Sequence, residues 1–378
     1  RETRGGELVR TELCDRFGID YPIFVFTPSE KVAAAVSRAG GLGVLGCVRF
    51  NDPDDLENVL QWMDANTDGK PYGVDVVMPA KIPTEGTSVD INKLIPPAHR
   101  EFVDKTLADL GVPPLPQDEE RSEGVLGWLH SVARSHVEVA LKHPIKLIAN
   151  ALGSPPKDVI DQVHQAGVPV AALAGSPKHA LRHVENGVDI VVAQGREAGG
   201  HTGEIGSMVL WPEIVDALEG RAPVLAAGGI GTGRQVAAAL ALGAQGVWMG
   251  SAFLTSAEYD LGVRMESGRS VIQEALLNAT SADTVRRRIY TGKPARLLKS
   301  RWTDAWDGDG APEPLPMPLQ NILVSEAHQR MSESTDPTAV AMPVGQIVGR
   351  MNEIRPVADI IAELVSGFDE ATRRLDGI

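Results

Sequence analysis

The sequence predicts an α/β protein built as a (β/α)8 TIM barrel. Three observations predict it. Eight short apolar runs of strand character follow one another up to residue 249, and helical patterns separate them. The last two runs end in glycine-bearing turns at 228–233 and 250–251, where such a barrel gathers its binding loops. A doubly wound open sheet is the alternative arrangement for the same alternation.

The strand-like runs cover 22–26, 43–47, 72–78, 145–151, 168–173, 188–193, 223–227 and 246–249. Most are apolar throughout, as expected of parallel strands buried on both faces. A helix over 30–39 follows the first run and stops at Gly40-Gly41. Another, over 156–166, opens on Pro156 and ends before Gly167. Further helices are predicted over 177–186, 211–218 and 233–242. The barrel is assigned to 15–258. Two stretches exceed a minimal barrel. Residues 80–144, with the proline-rich piece Pro113-Pro114-Leu115-Pro116, read as a helical insertion after strand three. Residues 259–378 read as a C-terminal helical cap, with a helical pattern at 357–368 and a Gly/Asp/Pro loop at 304–318.

Composition narrows the function. Of 378 residues, 43% are hydrophobic and 4% aromatic, which suits closely packed α/β layers. The formal charge of −14 repels a phosphate backbone, so nucleic acid is not an expected partner. Cys14 and Cys47 are too few for a disulfide framework or a four-ligand zinc site, and no metal is expected. They read as reduced core thiols of a cytoplasmic protein. No apolar stretch approaches the ~18 residues that cross a bilayer, and residues 1–10 lack a hydrophobic signal core.

The chemistry concentrates in Gln194-Gly-Arg-Glu-Ala-Gly-Gly-His201, directly after the sixth strand. Glycines there permit a close approach of backbone or of a flat ligand, and His201 stands where a parallel barrel keeps its catalytic groups. An imidazole that titrates near neutrality can donate a hydrogen bond or take a proton. The alternative is a histidine that merely caps its loop. Glu197 reads as an anchor of that loop. Gly228, Gly229, Gly250 and Ser251 form the turns after strands seven and eight. Exposed amides there, with a helix N-terminus, suit a phosphate.

These residues resemble a known family. Gln194–His201, Ala226-Ala-Gly-Gly-Ile230, Leu242–Ser251 and Val36-Ser-Arg-Ala-Gly-Gly-Leu-Gly43 are similar to the nitronate monooxygenases, formerly 2-nitropropane dioxygenases. The resemblance implies an FMN cofactor. It implies that Gly228, Gly229, Gly250 and Ser251 hold the phosphate, that Gln194 contacts the ribityl chain or ring edge, and that Gly199 and Gly200 lie near the ring. His201 would face the substrate, hydrogen-bonding nitro oxygens or removing an α-proton. Phe26 and Thr27 occupy flavin-lining positions where the family usually writes Gln-Ala-Pro-Met. Asp75 stands where the family usually has Asn, as a carboxylate near the flavin or an acceptor for ribityl hydroxyls. The implied reaction is oxidation of an alkyl nitronate by dioxygen to a carbonyl compound and nitrite. Two alternatives stay open: an NAD(P)H-dependent quinone or enoyl-thioester reductase on the same scaffold, and a non-catalytic flavin-binding or assembly protein. The substrate is a small molecule in either enzyme, and a homodimer is left open.

Other signals are set aside. Gly41-Leu-Gly-Val-Leu-Gly46 matches a dinucleotide pattern but leads from helix into strand, the reverse of what that motif needs. His179 and His183, four apart on a helix, read as surface residues. Asp307-Gly-Asp-Gly310 reads as a turn.

Overall fold

In a computed structural model, residues 9–78, 91–115 and 130–377 are described. Eight parallel strands close into a barrel, so the (β/α)8 reading is the fold. They are β1 (Ile23–Thr27), β2 (Leu42–Gly46), β3 (Tyr72–Val76), β4 (Ile148–Asn150), β5 (Val170–Ala174) and β6 (Ile190–Gln194). A two-residue strand outside the barrel, β7 (Gly200–His201), comes next, and β8 (Val224–Ala227) and β9 (Gly246–Met249) complete the ring. β9 pairs with β1, which leaves no free edge.

Strand alternation sets what the barrel contains. Phe24, Leu42, Val44, Leu147, Ile190, Val192, Leu225 and Trp248 point inward and fill the interior. Leu13, Cys14 and Phe17 of α1 (Glu12–Phe17) join that cluster and plug its lower end. Intervening residues such as Ile23, Val25, Val191 and Val247 point outward, under the helices. Cys14 and Cys47 are both buried free thiols.

The outer ring begins with α2 (Glu30–Arg38) and α3 (Pro53–Asn66). After β3 come α4 (Pro97–Asp109) and α5 (His130–Ala140). Only α4 stands off the barrel; α5 packs on β3 and α3 as a ring helix. α6 (Lys157–Gln165), α7 (Pro177–Glu185), α8 (Ser207–Leu218) and α9 (Gly233–Ala241) continue the ring. α8 starts before its predicted 211, because Glu197 accepts hydrogen bonds from the Ser207 amide (2.9 Å) and hydroxyl (2.8 Å). That contact is tertiary and invisible to periodicity.

The C-terminal stretch differs from the helical cap read from sequence. It holds α10 (Val271–Leu277), a hairpin of β10 (Thr284–Arg287) and β11 (Ala295–Leu298), then α11 (Arg301–Trp306), α12 (Leu319–Glu333) and α13 (Val357–Asp376). The hairpin pairs with β7 in a three-stranded antiparallel sheet over the barrel mouth. α13 packs against α9 and α2, so the last helix closes the ring instead of capping it. α4 and α12 pack together, and Val103, Leu107, Trp302, Trp306 and Val324 form a separate apolar core there. Part of the insertion read over 80–144 lies outside the described residues.

Candidate active site

The sequence-read residues meet at the C-terminal mouth of the barrel, but not all in the roles expected. β6 delivers Gln194 on the inward parity of Ile190 and Val192. Among the described residues its amide finds no protein partner. Phe26 is inward and half-buried on β1. Its ring lies over Gly46, where an added Cβ would come within 2.9 Å of it. Asp75 is inward on β3, beside Gly46 and Ala149. It is 2% exposed, and burial lifts its pKa well above the usual carboxylate range. Burial therefore favours the neutral acid at Asp75 over the carboxylate the sequence suggested.

Thr27 has the outward parity of Val25. Its hydroxyl accepts the Ser29 amide at 3.2 Å, at the entry to α2. Its side chain holds a turn and does not line the mouth.

The turns after β8 and β9 are neighbours, since Ala227 pairs with Trp248. Gly229 has φ +76°, a conformation that suits glycine and turns its amide outward. Among the described residues the amides of Gly229, Ile230, Ser251 and Ala252 donate to no protein acceptor. Ser251 opens a short 3-10 helix, Ser251–Phe253, and Thr232 caps α9 through the Gln235 amide. The Ser251 hydroxyl accepts the Gly345 amide at 2.8 Å, which leaves its own proton to donate. Four unsatisfied donors, two in the turn ahead of α9 and two at the start of the 3-10 helix, fit an anionic phosphate.

Gly199 is glycine for a reason other than a flat ligand. An added Cβ would lie 2.7 Å from the Val344 carbonyl carbon, so this chain's own segment 343–346 passes there. Gln346 donates to the Glu197 carbonyl (2.9 Å), which ties the same segment to the loop. Gly200, at φ +73°, pairs with Arg296 of β11.

His201 is not on a free loop. It lies in β7 opposite Ala295, and its Nε2 is 2.6 Å from the Thr291 hydroxyl. Burial, with the nearby Lys293 charge, pushes its pKa down to about 4. The expectation of an imidazole titrating near neutrality is overturned: it is neutral across the physiological range. Thr291 Oγ1 also accepts the Lys293 amide at 3.4 Å, which holds the hydroxyl beside the ring. Thr291 and Lys293 went unnoticed in the sequence. Ninety positions separate His201 from Thr291, and a Thr-Gly-Lys-Pro turn carries no pattern of its own.

His183 also departs from expectation. It is buried, with Ser154 on Nδ1 (2.7 Å) and the Leu173 carbonyl on Nε2 (3.0 Å). Asp307 pairs with Arg287 in a two-pronged salt bridge (2.7 and 2.9 Å).

Comparison with known proteins settles the family. The sequence profile of the nitronate monooxygenases matches residues 10–367. The chain belongs to the nitronate monooxygenase family. Members of this family are flavin-dependent oxidoreductases acting on small molecules, and this chain is one of them. A Mycobacterium tuberculosis protein provisionally named a monooxygenase is 46% identical over 98% of this chain and 99% of its own length. A probable nitronate monooxygenase of Staphylococcus aureus is 28% identical over 96% and 98%. Among solved structures, nitroalkane oxidase from Streptomyces ansochromogenes has TM-score 0.77 at 27% identity, covering 96% of this chain and 99% of that one. FabK from Thermotoga maritima has TM-score 0.73 at 28% identity, covering 98% and 99%. No described helix is long and apolar enough to cross a membrane.

Proposed function

We propose that the chain binds FMN and oxidises alkyl nitronates with dioxygen, giving a carbonyl compound and nitrite. The amides of Gly229, Ile230, Ser251 and Ala252 hold the phosphate, with the turn geometry of Gly228 and Gly250 keeping them aimed. Gln194, Asp75 and Phe26 line the mouth: two polar groups and one apolar wall. FMN, when bound, supplies the acceptor for the substrate's electrons and their route to dioxygen.

His201 orients the substrate. A neutral imidazole with a pKa of about 4 is a poor base for a neutral nitroalkane, but its N–H still donates to the oxygens of an anionic nitronate. Thr291 holds the ring in place. Lys293 adds positive charge near that anion. Water is kept off by the sheet of β7, β10 and β11. The observation carrying this reading is the set of unsatisfied amides on the same mouth as a neutral, positioned imidazole. One chain suffices for this chemistry, and a homodimer stays compatible with it.

The likeness to FabK favours a second reading, in which a reduced nicotinamide supplies electrons and a quinone or enoyl thioester receives them. An anaerobic titration separates the two. Bleaching of bound flavin by propyl-2-nitronate, and not by NADH or NADPH, is the expected result. Bleaching by nicotinamide alone moves the chain to the second reading. Protein that is colourless and cannot be reconstituted with FMN sinks both.

A further inference from the structure

A cavity of about 420 Å³ opens beside the mouth, lined by Arg196, Glu197, Gly206, Thr284, Val285, Arg286, Arg287, Arg296 and Gln346. Four arginines converge here in a chain whose formal charge is −14. Arg296 is 6% exposed. Its guanidinium donates to the Arg196 carbonyl (3.1 and 3.0 Å) and to the Thr284 hydroxyl (2.9 Å), and no carboxylate pairs with it among the described residues. Three of its five N–H donors are used, and two remain. Arg286 holds the Thr202 hydroxyl (2.9 Å) and carbonyl (2.8 Å). Arg196 is 53% exposed and meets an acid only at 4.0 Å. The acid is Glu204, itself 69% exposed, which also pairs with Arg286 at 2.7 Å. Glu197 also lines the cavity; its carboxylate accepts from the start of α8, and its charge partly offsets that of Arg296. Arg287 is committed to Asp307.

We propose that this cavity binds the diphosphate group of a nucleotide-type ligand through Arg196, Arg286 and Arg296, with Glu204 swinging out to admit it. Planar guanidiniums with spare donors match phosphoryl oxygens bidentately. The volume exceeds what a lone phosphate fills and suits a ligand of nucleotide size. The site is distinct from the amide turns after β8 and β9. Arg286 and Arg296 share one face of the three-stranded sheet with Gly200, while His201 is on the opposite face with Ala295. A ligand here braces the sheet that positions His201 without touching the substrate.

Calorimetric titration of the FMN-saturated protein at low ionic strength tests this, with ADP, inorganic pyrophosphate and adenosine as probes. ADP and pyrophosphate are expected to saturate one site, and adenosine to give no heat. Arg196→Gln and Arg286→Gln should each weaken ADP roughly ten-fold, and Glu204→Gln should tighten it several-fold, with the flavin spectrum unchanged. Absence of saturable ADP binding, equal affinity in Arg196→Gln, pyrophosphate binding without ADP, or flavin release on titration would each overturn the proposal. The readout is heat of binding, so a failed nitronate assay leaves it unaffected.

Discussion

His201 Nε2 and the Thr291 hydroxyl lie 2.6 Å apart, joining a strand at the barrel's sixth loop to a turn ninety residues later. Replacing Thr291 with Val removes this hydrogen bond and keeps the volume. We expect kcat/KM on propyl-2-nitronate to fall roughly ten-fold, the worth of one hydrogen bond of about 1–1.5 kcal/mol, with flavin content unchanged. Thr291→Ser should restore most of it. A variant as active as the parent would remove Thr291 from the mechanism.

The imidazole's depressed pKa fixes the pH profile. With its ordinary value of 6.5 lowered to about 4, the ring is neutral throughout pH 5.5–8. Turnover of nitronate is therefore expected to be flat there, with an acidic limb only on approach to pH 4. His201→Ala should keep FMN and lose roughly a hundred-fold in kcat. A limb centred at 6.5 that disappears in that variant would show a titrating, solvated histidine instead.

His328 gives a stability prediction. It lies on α12, stacked on Tyr290, its Nε2 has no partner among the described residues, and burial lowers its pKa to about 4. The folded state resists protonation, while the unfolded chain takes up a proton below about 6.5. The contribution to stability is thus complete above the unfolded pKa and is lost as pH falls from 6.5 toward 4. Melting temperature should decline over that window, and His328→Phe should decline less. Parallel curves for the two proteins would contradict the assignment.

Asp75 separates a neutral acid from a carboxylate. If it is neutral, Asp75→Asn leaves the flavin midpoint potential nearly unchanged at pH 7 and does not lower the melting temperature. A rise of roughly 30 mV, about 1.4 kcal/mol for two electrons, would mean that a negative charge had been removed beside the ring.

Gly229 tests the phosphate turn. Its φ of +76° and the Glu197 Cβ 3.3 Å from an added methyl make alanine strained. Gly229→Ala should weaken FMN roughly ten-fold, the equivalent of about 1–2 kcal/mol of left-handed strain. Fluorescence titration of apoprotein measures this, and unchanged affinity would shift the phosphate elsewhere.

The sequence by itself determined the barrel. Eight apolar runs split by capped helices allow few other closures, because each run needs cover on both faces. Local sequence also marked the mouth, since Gly228-Gly229 and Gly250-Ser251 follow apolar strands and favour turns. Tertiary structure alone decided the ionisation of Asp75 and His201, since a pKa depends on what surrounds a group and not on its neighbours in the chain. It alone turned Thr27 away, set Gly199 against Val344, joined His201 to Thr291 and gathered Arg196, Arg286 and Arg296 on one cavity. Those relations span up to 145 residues of chain, and loop closure over such lengths leaves no periodic trace in the sequence.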